Sequence, residues 1–366
     1  MPKIVLEHVT KRFDKFVAVE DLNLVIEDRD FITLLGPSGC GKTTTLRMIA
    51  GLETPTEGKI TIGDNVVFDS KEGIDIPAAK RDIGFLFQNY ALWPHMTVYQ
   101  NIAFGLENLK WDKSKIRSRV SEMMKMLKIE QFEHRYPAEL SGGQQQRVAI
   151  ARTLAPSPKV LFMDEPLSNL DAKLRLEMRS ELKRLHVDTD STFVYVTHDQ
   201  MEAMALATKI CLMDKGILQQ YEPPLTVYDR PANLFVADFV GNPTMNFLDS
   251  EFRKTGDKEG KLALFGRELD FRSKESIPDC SKIVVGIRPE FISLGSGSFE
   301  GAVYTTLPSG METTVKLEIG SSFLTSVVFG SVDYKHMTKL SFSFIGDGII
   351  IFDKESGKRL VLGSLS

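Results

Sequence analysis

The sequence predicts an α/β domain built on a mainly parallel sheet, followed by a smaller all-β domain. Up to about Asp238, short apolar segments alternate with helical patterns, which is typical of a parallel sheet covered by helices on both faces. Beyond Asp238 the long helices end, and short strands recur in segments richer in glycine and serine. The chain has 366 residues, too many for one ordinary core, so two or three domains are expected.

The composition is that of a soluble globular protein, and it disfavours some partners. Hydrophobic residues make up 42% and charged residues 26% of the chain, and the net charge is −4 without a basic stripe, so we expect no nucleic-acid partner. Since no apolar run approaches the ~20 residues of a membrane helix, membrane association would require a partner protein. The alternating N-terminus predicts a strand rather than a signal peptide. Three cysteines without metal spacing predict reduced thiols in the cytosol.

The first elements surround a glycine-rich loop. Residues 3–26 alternate between apolar and polar positions and predict strands. Residues 31–35 (FITLL) predict a buried parallel strand, and residues 44–50 (TTLRMIA) predict a helix that ends at Gly51. Between them, residues 36–43 (GPSGCGKT) fit the phosphate-binding pattern G-x-x-x-x-G-K-[ST] at every fixed position. Strand, loop and helix therefore follow one another in the order that phosphate binding requires.

The loop predicts how a nucleotide would be held. Its glycines allow backbone N–H groups to turn inward, and the following helix adds its positive dipole end. Lys42 would reach the β- and γ-phosphates, and the Thr43 hydroxyl would be a Mg²⁺ ligand. For this motif alone, a glycine turn with an incidental lysine is the alternative. Phe13 could stack on adenine, with a core or edge aromatic as the alternative. The residues expected to bind nucleotide are Phe13, Gly36, Pro37, Ser38, Gly39, Cys40, Gly41, Lys42, Thr43, Thr44 and Gln88.

The middle of the chain adds strands, helices and one irregular aromatic segment. Residues 89–104 contain Trp93-Pro94-His95, which excludes the middle of a helix or central strand; they indicate a docking surface or a satellite core. Ser141-Gly142-Gly143 precede a helix and offer a second place where backbone donors could face an anion. The other expected elements are a hairpin at 57–69, a strand at 83–87, helices at 113–128, 144–154, 171–187 and 199–207, and strands at 159–163, 192–197 and 210–213 with a hairpin through 215–216.

Several polar residues follow buried strands, where a parallel sheet collects its ligands. Asp164 and Glu165 follow one strand, His198 another and Gln88 a third. We expect Asp164 to hold Mg²⁺ and Glu165 to activate water as general base. His198 could hydrogen-bond the γ-phosphate, and Gln88 could touch the Mg²⁺ shell. Taken separately, the carboxylate pair could be a solvated turn and the lone histidine could be structural.

Two further motifs make the pattern resemble a known family. Residues 140–144 (LSGGQ) match the signature of ATP-binding-cassette (ABC) ATPases, and residues 168–171 (SNLD) look like their D-loop. With residues 36–43, Gln88 and His198 in family order, the resemblance spans residues 3–235. The resemblance implies catalytic roles for Lys42, Glu165 and His198. It also implies Mg²⁺ bound by Thr43, Gln88 and Asp164, the last either directly or through water. The signature and D-loop residues are Leu140, Ser141, Gly142, Gly143 and Gln144, and Ser168, Asn169, Leu170 and Asp171.

The family resemblance also implies architecture and assembly. Residues 1–235 would be a P-loop NTPase cassette with a RecA-like core and a helical subdomain at about 89–155. A head-to-tail homodimer would hold ATP between the phosphate loop of one subunit and the signature of the other. In such a dimer, ATP supplies binding energy for the closed state, and hydrolysis removes it.

The C-terminal residues narrow the resemblance to the ATPase subunit of maltose-type carbohydrate importers. The segments concerned are 235–243 (FVADFVGNP), 245–248 (MNFL) and 286–290 (GIRPE). This similarity implies an OB-like barrel at 236–366, two transmembrane permease subunits, an indirect extracytoplasmic solute-binding partner and a peripheral position on the cytoplasmic side of the inner membrane. Trp93 would then lie at the permease groove. Phe13 stands where many relatives carry Tyr or Trp, and residues 249–282 match the subfamily poorly.

Three alternatives remain from the sequence. The importer could carry polyamine, sulfate, iron or glycerol phosphate, because the permease and the binding protein select the solute. A soluble cassette ATPase of DNA repair or translation would have no membrane partner, but the chain has neither a long coiled coil nor a second cassette. A small-molecule kinase would need a phosphoacceptor site and would not need residues 140–144.

Overall fold

Residues 3–365 are described by the computed structural model, and the backbone divides between Pro224 and Leu225 into two units. The elements of the first unit are β1 (Ile4–Phe13), β2 (Phe16–Ile26), β3 (Phe31–Leu35), α1 (Lys42–Ala50), β4 (Glu57–Ile62), β5 (Asn65–Asp69), β6 (Ile74–Asp75), β7 (Ile83–Leu86), α2 (Val98–Asn108), α3 (Lys113–Met126), α4 (Gly142–Leu154), β8 (Val160–Asp164), α5 (Ala172–Asp188), β9 (Thr192–Val196), α6 (Gln200–Leu206), β10 (Lys209–Asp214) and β11 (Ile217–Glu222).

The central sheet of the first unit confirms the predicted parallel architecture. Its strand order is β11-β10-β3-β9-β8-β7, with β11 antiparallel to β10 and all other pairs parallel. Every residue of β3, β8 and β9 is buried, as expected for strands covered on both faces. Side chains alternate between two cores: on β9, Phe193 and Tyr195 belong to one apolar cluster, and Val194 and Val196 belong to the other.

A second sheet of the first unit is antiparallel, with the order β2-β1-β4-β5-β6. The hairpin predicted at residues 57–69 is present as β4 and β5, with Gly63 in the left-handed region at its turn. Its apolar residues pack with α1 in one of the two clusters that cover the central sheet. The position of β1 in this sheet places Phe13 at the strand's exposed end.

One prediction for the first unit is wrong. Residues 89–104 are expected to be irregular, but α2 begins at Val98, and Phe104 lies within it. The Thr97 side chain accepts the Gln100 backbone N–H at 3.3 Å, and the Gln100 side chain accepts the Thr97 N–H at 2.8 Å. This reciprocal capping box starts the helix immediately after the Pro94 turn. Its T-x-x-Q pattern was the available signal.

The second unit consists mainly of strands. Its elements are α7 (Pro224–Asp229, which begins at the boundary), α8 (Leu234–Phe239), β12 (Asn246–Lys254), β13 (Glu259–Leu264), β14 (Arg267–Ser273), β15 (Lys282–Ile287), β16 (Ile292–Pro308), β17 (Glu312–Ile319), β18 (Ser322–Phe329), β19 (Lys339–Phe344), β20 (Ile349–Asp353) and β21 (Arg359–Leu365). The all-β prediction is confirmed.

The sequence predicts a single barrel in this unit, but the structure has a closed barrel and a separate four-stranded sheet. Strands β12-β13-β14-β21-β20-β15 close a barrel, and β18-β17-β16-β19 form a separate sheet. The sequence predicts six strands here, at 283–287, 299–307, 313–319, 322–329, 339–345 and 348–352. Four of them lie in the separate sheet, as β16 to β19, and only β15 and β20 lie in the barrel. The remaining barrel strands were missed because charged residues occupy their outward face, as in β12 (NFLDSEFRK) and β14 (RELDFRS).

The second unit begins earlier than the boundary expected at residues 235 and 236, and Arg288 explains why. Its buried guanidinium lies 4.0 Å from the centre of the Tyr228 ring and donates to the Tyr228 carbonyl at 2.9 Å. It also donates to the carbonyls of Ala237 and Val240. Residues 228–240 are therefore held to the strands of the second unit, and the GIRPE motif has a structural role there.

Within residues 3–365, no helix combines the length and the apolar character needed to cross a membrane.

Replacing Arg288 by Ala should destabilise the second unit by about 3 kcal/mol, because three buried carbonyls lose a charged donor. The measurement is hydrogen–deuterium exchange of peptides from residues 246–287 in the full chain. Arg253→Ala is the matched control, since Arg253 makes an exposed ion pair with Glu268 at 3.2 Å; its cost should stay below about 1 kcal/mol. Equal protection in the two variants would contradict the anchoring role of Arg288.

Candidate nucleotide-binding site

The loop between β3 and α1 has the backbone that phosphate binding requires. Gly36, Gly39 and Gly41 have φ values of 150°, 79° and 102°, which residues with a Cβ rarely adopt. A Cβ on Gly36 would lie 2.2 Å from the Met213 carbonyl oxygen, and one on Gly41 would lie 2.4 Å from the Ala18 carbonyl oxygen. Glycine is therefore needed both for conformation and for packing.

Lys42 lies at the centre of this loop. Its buried ammonium donates to the carbonyls of Gly36 at 2.8 Å and Pro37 at 2.9 Å, and lies 3.7 Å from the Cys40 sulfur. The neighbours of Nζ are thus neutral, which leaves its charge available to an anion. Burial raises the pKa of the Cys40 thiol, and Lys42 offsets this only in part. Cys40 therefore fills space as a protonated thiol.

Thr43 and Asp164 bring hard oxygen ligands to the same place. The Thr43 hydroxyl donates to Asp164 Oδ1 at 3.0 Å, and Arg47 Nη2 lies 3.4 Å from Asp164 Oδ2. Hydroxyl and carboxylate oxygens fit Mg²⁺, which usually shares its shell between one or two side chains, phosphates and water. In the described part of the chain, no group of three or more His, Cys, Asp or Glu could hold a metal. The Thr43 hydroxyl and the Asp164 carboxylate fit part of a Mg²⁺ shell that is completed by phosphate and water.

Arg47 is a residue that the sequence analysis missed. It lies one helical turn after Thr43, so both side chains are on the same face of α1. That spacing, four residues beyond the threonine of the loop, was the only signal in the sequence.

Glu165, Gln88 and His198 converge at the ends of three neighbouring strands, as the parallel sheet predicts. Glu165 Oε2 lies 3.5 Å from His198 Nδ1 and 3.5 Å from Gln88 Nε2. Its backbone has φ 45°, and its N–H donates to the Val196 carbonyl at 3.2 Å. Such backbone strain in a non-glycine residue persists only where the surroundings enforce it, commonly at functional sites.

Residues 168–171 are tied to this cluster. The Ser168 hydroxyl donates to the Glu165 carbonyl at 2.9 Å, and Asn169 Nδ2 donates to the Gln88 carbonyl at 3.1 Å. Gln88 Nε2 lies 3.3 Å from Ser168 Oγ. The Asp171 side chain accepts the Leu174 N–H at 3.0 Å, so it caps α5. Leu170 is buried and anchors the segment.

Residues 140–144 form the start of α4. The Ser141 hydroxyl accepts the Gln144 N–H at 3.4 Å, and the Gln144 side chain accepts the Ser141 N–H at 2.9 Å. Leu140 is buried, whereas Ser141 and Gly142 are exposed. A Cβ on Gly143 would lie 2.5 Å from Leu174 Cδ2, so glycine allows α4 and α5 to approach. Within residues 3–365, no hydrogen bond or ion pair joins this segment to residues 36–43.

Phe13 is a surface aromatic, which excludes the core alternative. Its side chain is 44% exposed, and Lys11 Nζ lies 4.7 Å from the ring centre. Phe16, opposite it on β2, is also exposed and was not singled out from the sequence. The exposed part of the Phe13 ring could therefore accept a flat group such as a base.

Trp93 occupies an intermediate position between surface and core. Its ring lies 4.2 Å from that of Phe104, and the Arg152 guanidinium lies 4.8 Å from the Trp93 ring centre. Arg152 also donates to the carbonyls of Tyr90 at 2.7 Å and Ala91 at 2.6 Å. The aromatic segment is thus held in a defined shape, and Pro94 and His95 are exposed at its turn.

Comparison with known proteins agrees with this geometry. The family described as "ABC transporter" matches residues 19–168. A trehalose/maltose import ATP-binding protein of Thermococcus litoralis is 43% identical over 372 residues, covering 98% of this chain and 100% of that protein. An oligosaccharides import ATP-binding protein of Bacillus subtilis is 41% identical over 372 residues, with the same coverage. An osmoprotective compounds uptake ATP-binding protein of Synechocystis is 49% identical over 292 residues, covering 80% of this chain and 78% of that protein.

A solved structure shows the same fold. The ATP-binding cassette MJ0796, in a dimeric post-hydrolysis state bound to ADP and Pi, matches with a TM-score of 0.53 and 34% identity, covering 60% of this chain and 98% of that one. Full-length relatives, the family match and the solved cassette lead to the same assignment. The chain belongs to the ABC transporter family, as one of its ATP-binding, ATP-hydrolysing proteins.

Proposed function

We propose that this chain powers carbohydrate import, acting as a homodimer on two transmembrane permease subunits at the cytoplasmic side of the inner membrane, with an extracytoplasmic solute-binding protein as indirect partner. The observation that carries the proposal is the convergence of Gln88, Glu165 and His198 beside a glycine loop that holds Lys42. The relatives named for trehalose/maltose and oligosaccharide import support the solute class.

The chain's own residues account for hydrolysis. The backbone N–H groups of residues 36–44 other than Pro37, together with the ammonium of Lys42, bind the β- and γ-phosphates. Glu165 orients the attacking water and accepts its proton, while His198 hydrogen-bonds the γ-phosphate from the next strand end. When bound with ATP, Mg²⁺ neutralises charge on the β- and γ-phosphates. Thr43 and Gln88 would hold it directly, and Asp164 through water.

The signature segment supports the homodimer. Ser141 and Gly142 are exposed at the N-terminus of the thirteen-residue helix α4 and make no bond to the phosphate loop of the described chain. In a head-to-tail pair, they would face the γ-phosphate bound by the partner. Shifting closure from nearly all open to nearly all closed requires about 5.5 kcal/mol of state preference, which two γ-phosphates could supply.

A second candidate solute is an osmoprotective compound, because the Synechocystis relative is 49% identical. The chain and its co-purifying permease, reconstituted in liposomes with the binding protein, should hydrolyse ATP faster when a carbohydrate is added. Stimulation by a non-carbohydrate osmoprotectant alone would favour the second candidate. Failure to associate with any permease would contradict both.

Replacing Glu165 by Gln should lower ATP turnover by about 10²–10⁴-fold, because the general base is lost while the side-chain shape is kept. ATP binding should persist and trap the closed dimer, measured by size-exclusion chromatography with ATP. Glu177→Gln, on the exposed face of α5, is the matched control and should hydrolyse normally. Turnover like that of the wild type would refute the assignment of Glu165.

Replacing Ser141 by Gly should lower the ATPase activity of the isolated protein at least about tenfold, because a contact to ATP across the dimer is lost. Glycine keeps most of the helix-capping free energy, losing a few tenths of a kcal/mol. Thr97→Ala is the control, since Thr97 forms the same kind of capping box on α2. It should cost about 1 kcal/mol in stability and leave the ATPase unchanged. If Ser141→Gly leaves turnover unchanged, the shared nucleotide site is wrong.

Replacing Trp93 by Ala should remove solute stimulation in the reconstituted complex and leave the ATPase of the isolated chain largely intact. The physical reason is that Trp93 shapes the proposed permease groove through its contacts with Phe104 and Arg152. Trp111→Ala is the control, since Trp111 is the chain's other tryptophan and is 37% exposed. An equal loss of both activities in Trp93→Ala would indicate a core role instead.

A further inference from the structure

A buried polar cluster lies directly behind His198. The carboxylate of Glu202, on α6, accepts hydrogen bonds at 2.7 Å from both the Tyr195 and the Thr197 hydroxyls. All three side chains are buried. Since Thr197 immediately precedes His198, the cluster fixes the backbone that carries the histidine. A buried carboxylate is retained only where charge and hydrogen bonds compensate its desolvation.

Arg175, on α5, is the cation next to this cluster. Its Nη1 lies 3.6 Å from Asp199 Oδ2, and its Nε lies 3.9 Å from Glu202 Oε1. Asp199 in turn caps α6, accepting the N–H groups of Met201 at 2.7 Å and Glu202 at 3.2 Å. Two nitrogens of the guanidinium are therefore within ion-pair distance of carboxylates in the segment that follows His198.

The other end of the same guanidinium reaches the D-loop segment. Arg175 Nη2 donates to the Leu170 carbonyl at 3.1 Å. Leu170 follows Ser168 and Asn169, which contact Glu165 and Gln88. A planar guanidinium can serve acceptors in several directions at once, which a lysine ammonium on a flexible stem does less well.

These contacts form a closed ring that includes Glu165. Glu165 contacts His198, and Asp199, the residue after His198, contacts Arg175. Arg175 donates to the Leu170 carbonyl, and Ser168, in the same segment, donates to the Glu165 carbonyl. Arg175 is the member of the ring that joins its two sides. Its side chain is 32% exposed, so it is not simply part of the apolar core.

We propose that Arg175 is a positioning residue for ATP hydrolysis, which couples residues 168–171 to residues 197–199 so that both move as one unit around Glu165. The inference rests on the proposed function, because it requires His198 to face the γ-phosphate. Arg175 would therefore transmit a movement of residues 168–171 to the histidine that contacts the phosphate.

The experiment measures ATP hydrolysis by the full-length protein carrying Arg175→Ala. We expect kcat to fall between about tenfold and a hundredfold, as for a small misplacement of catalytic groups, while KM for ATP changes little. Because the site is partly open to solvent, added guanidinium chloride, well below denaturing concentration, should restore part of kcat. Sodium chloride at equal ionic strength should not. Arg175→Lys should lie between Arg175→Ala and wild type.

Arg184→Ala is the matched control. Arg184 lies on the same helix and contacts Glu181 and the Met126 carbonyl but no residue of the ring, so this variant should retain wild-type kcat and should not respond to guanidinium. If Arg175→Ala does not fold, Glu202→Gln tests the same link, since it removes the charge that faces Arg175 and should also lower kcat without raising KM.

Two results would overturn the inference: a kcat for Arg175→Ala equal to that of Arg184→Ala, or a loss of kcat that guanidinium does not restore. The parallel Glu165→Gln measurement separates this outcome from failure of the proposed function. If hydrolysis depends on Glu165 but not on Arg175, only the coupling role is wrong. If hydrolysis does not depend on Glu165, the proposed chemistry itself is wrong.

Discussion

The register of the parallel sheet is the constraint on which the rest of the first unit depends. Leu34 on β3 pairs with Val196 on β9, and Val196 pairs with Asp164 on β8. These residues form one row across the sheet, so the segments that follow them leave it at the same level. A slip of one residue would exchange the two faces of a strand. The apolar side chains on both faces of β3, β8 and β9 oppose such a slip, because the exchange would disrupt two cores.

From this row, each functional group needs only a short additional segment. The glycine loop starts one residue after β3, Glu165 follows Asp164 directly, and His198 comes two residues after β9. This proximity strains the backbone locally. Gly36 and Gly41 lie against neighbouring carbonyls, and Glu165 has a left-handed backbone conformation. The close packing of strand ends therefore determines both where the charges lie and which positions require glycine. Arg47 supplies positive charge beside the Asp164 carboxylate, and carbonyl groups of the loop hold the Lys42 ammonium, so the polar environment is arranged before substrate arrives.

The second unit follows a different principle. Most of its strands bury alternate side chains, but β15 and β20 are buried on both faces, where Val284, Ile350 and Phe352 pack with Ala237 of α8. Its helical N-terminal segment is therefore held by an apolar cluster together with the buried Arg288. Arg288 donates to carbonyls of residues 228–240 at the ends of two short helices, where the last carbonyls lack partners within the helix. The contacts of Arg288 thus give the GIRPE motif a role in holding the second unit together.

The sequence by itself determined the fold class, the order of the parallel strands along the chain, the phosphate loop and the identity of the strand-end residues, because each depends on local patterns of glycine, charge and apolar runs. It did not predict helix α2, for which the capping box is the local signal, or the barrel strands whose outward residues are charged. It also did not predict the boundary at Leu225. Only the tertiary structure decided that Arg47 faces Asp164 and that Arg175 joins Leu170 to Asp199. These contacts connect residues from different elements, and their distances depend on how helices pack on the sheet rather than on any local pattern.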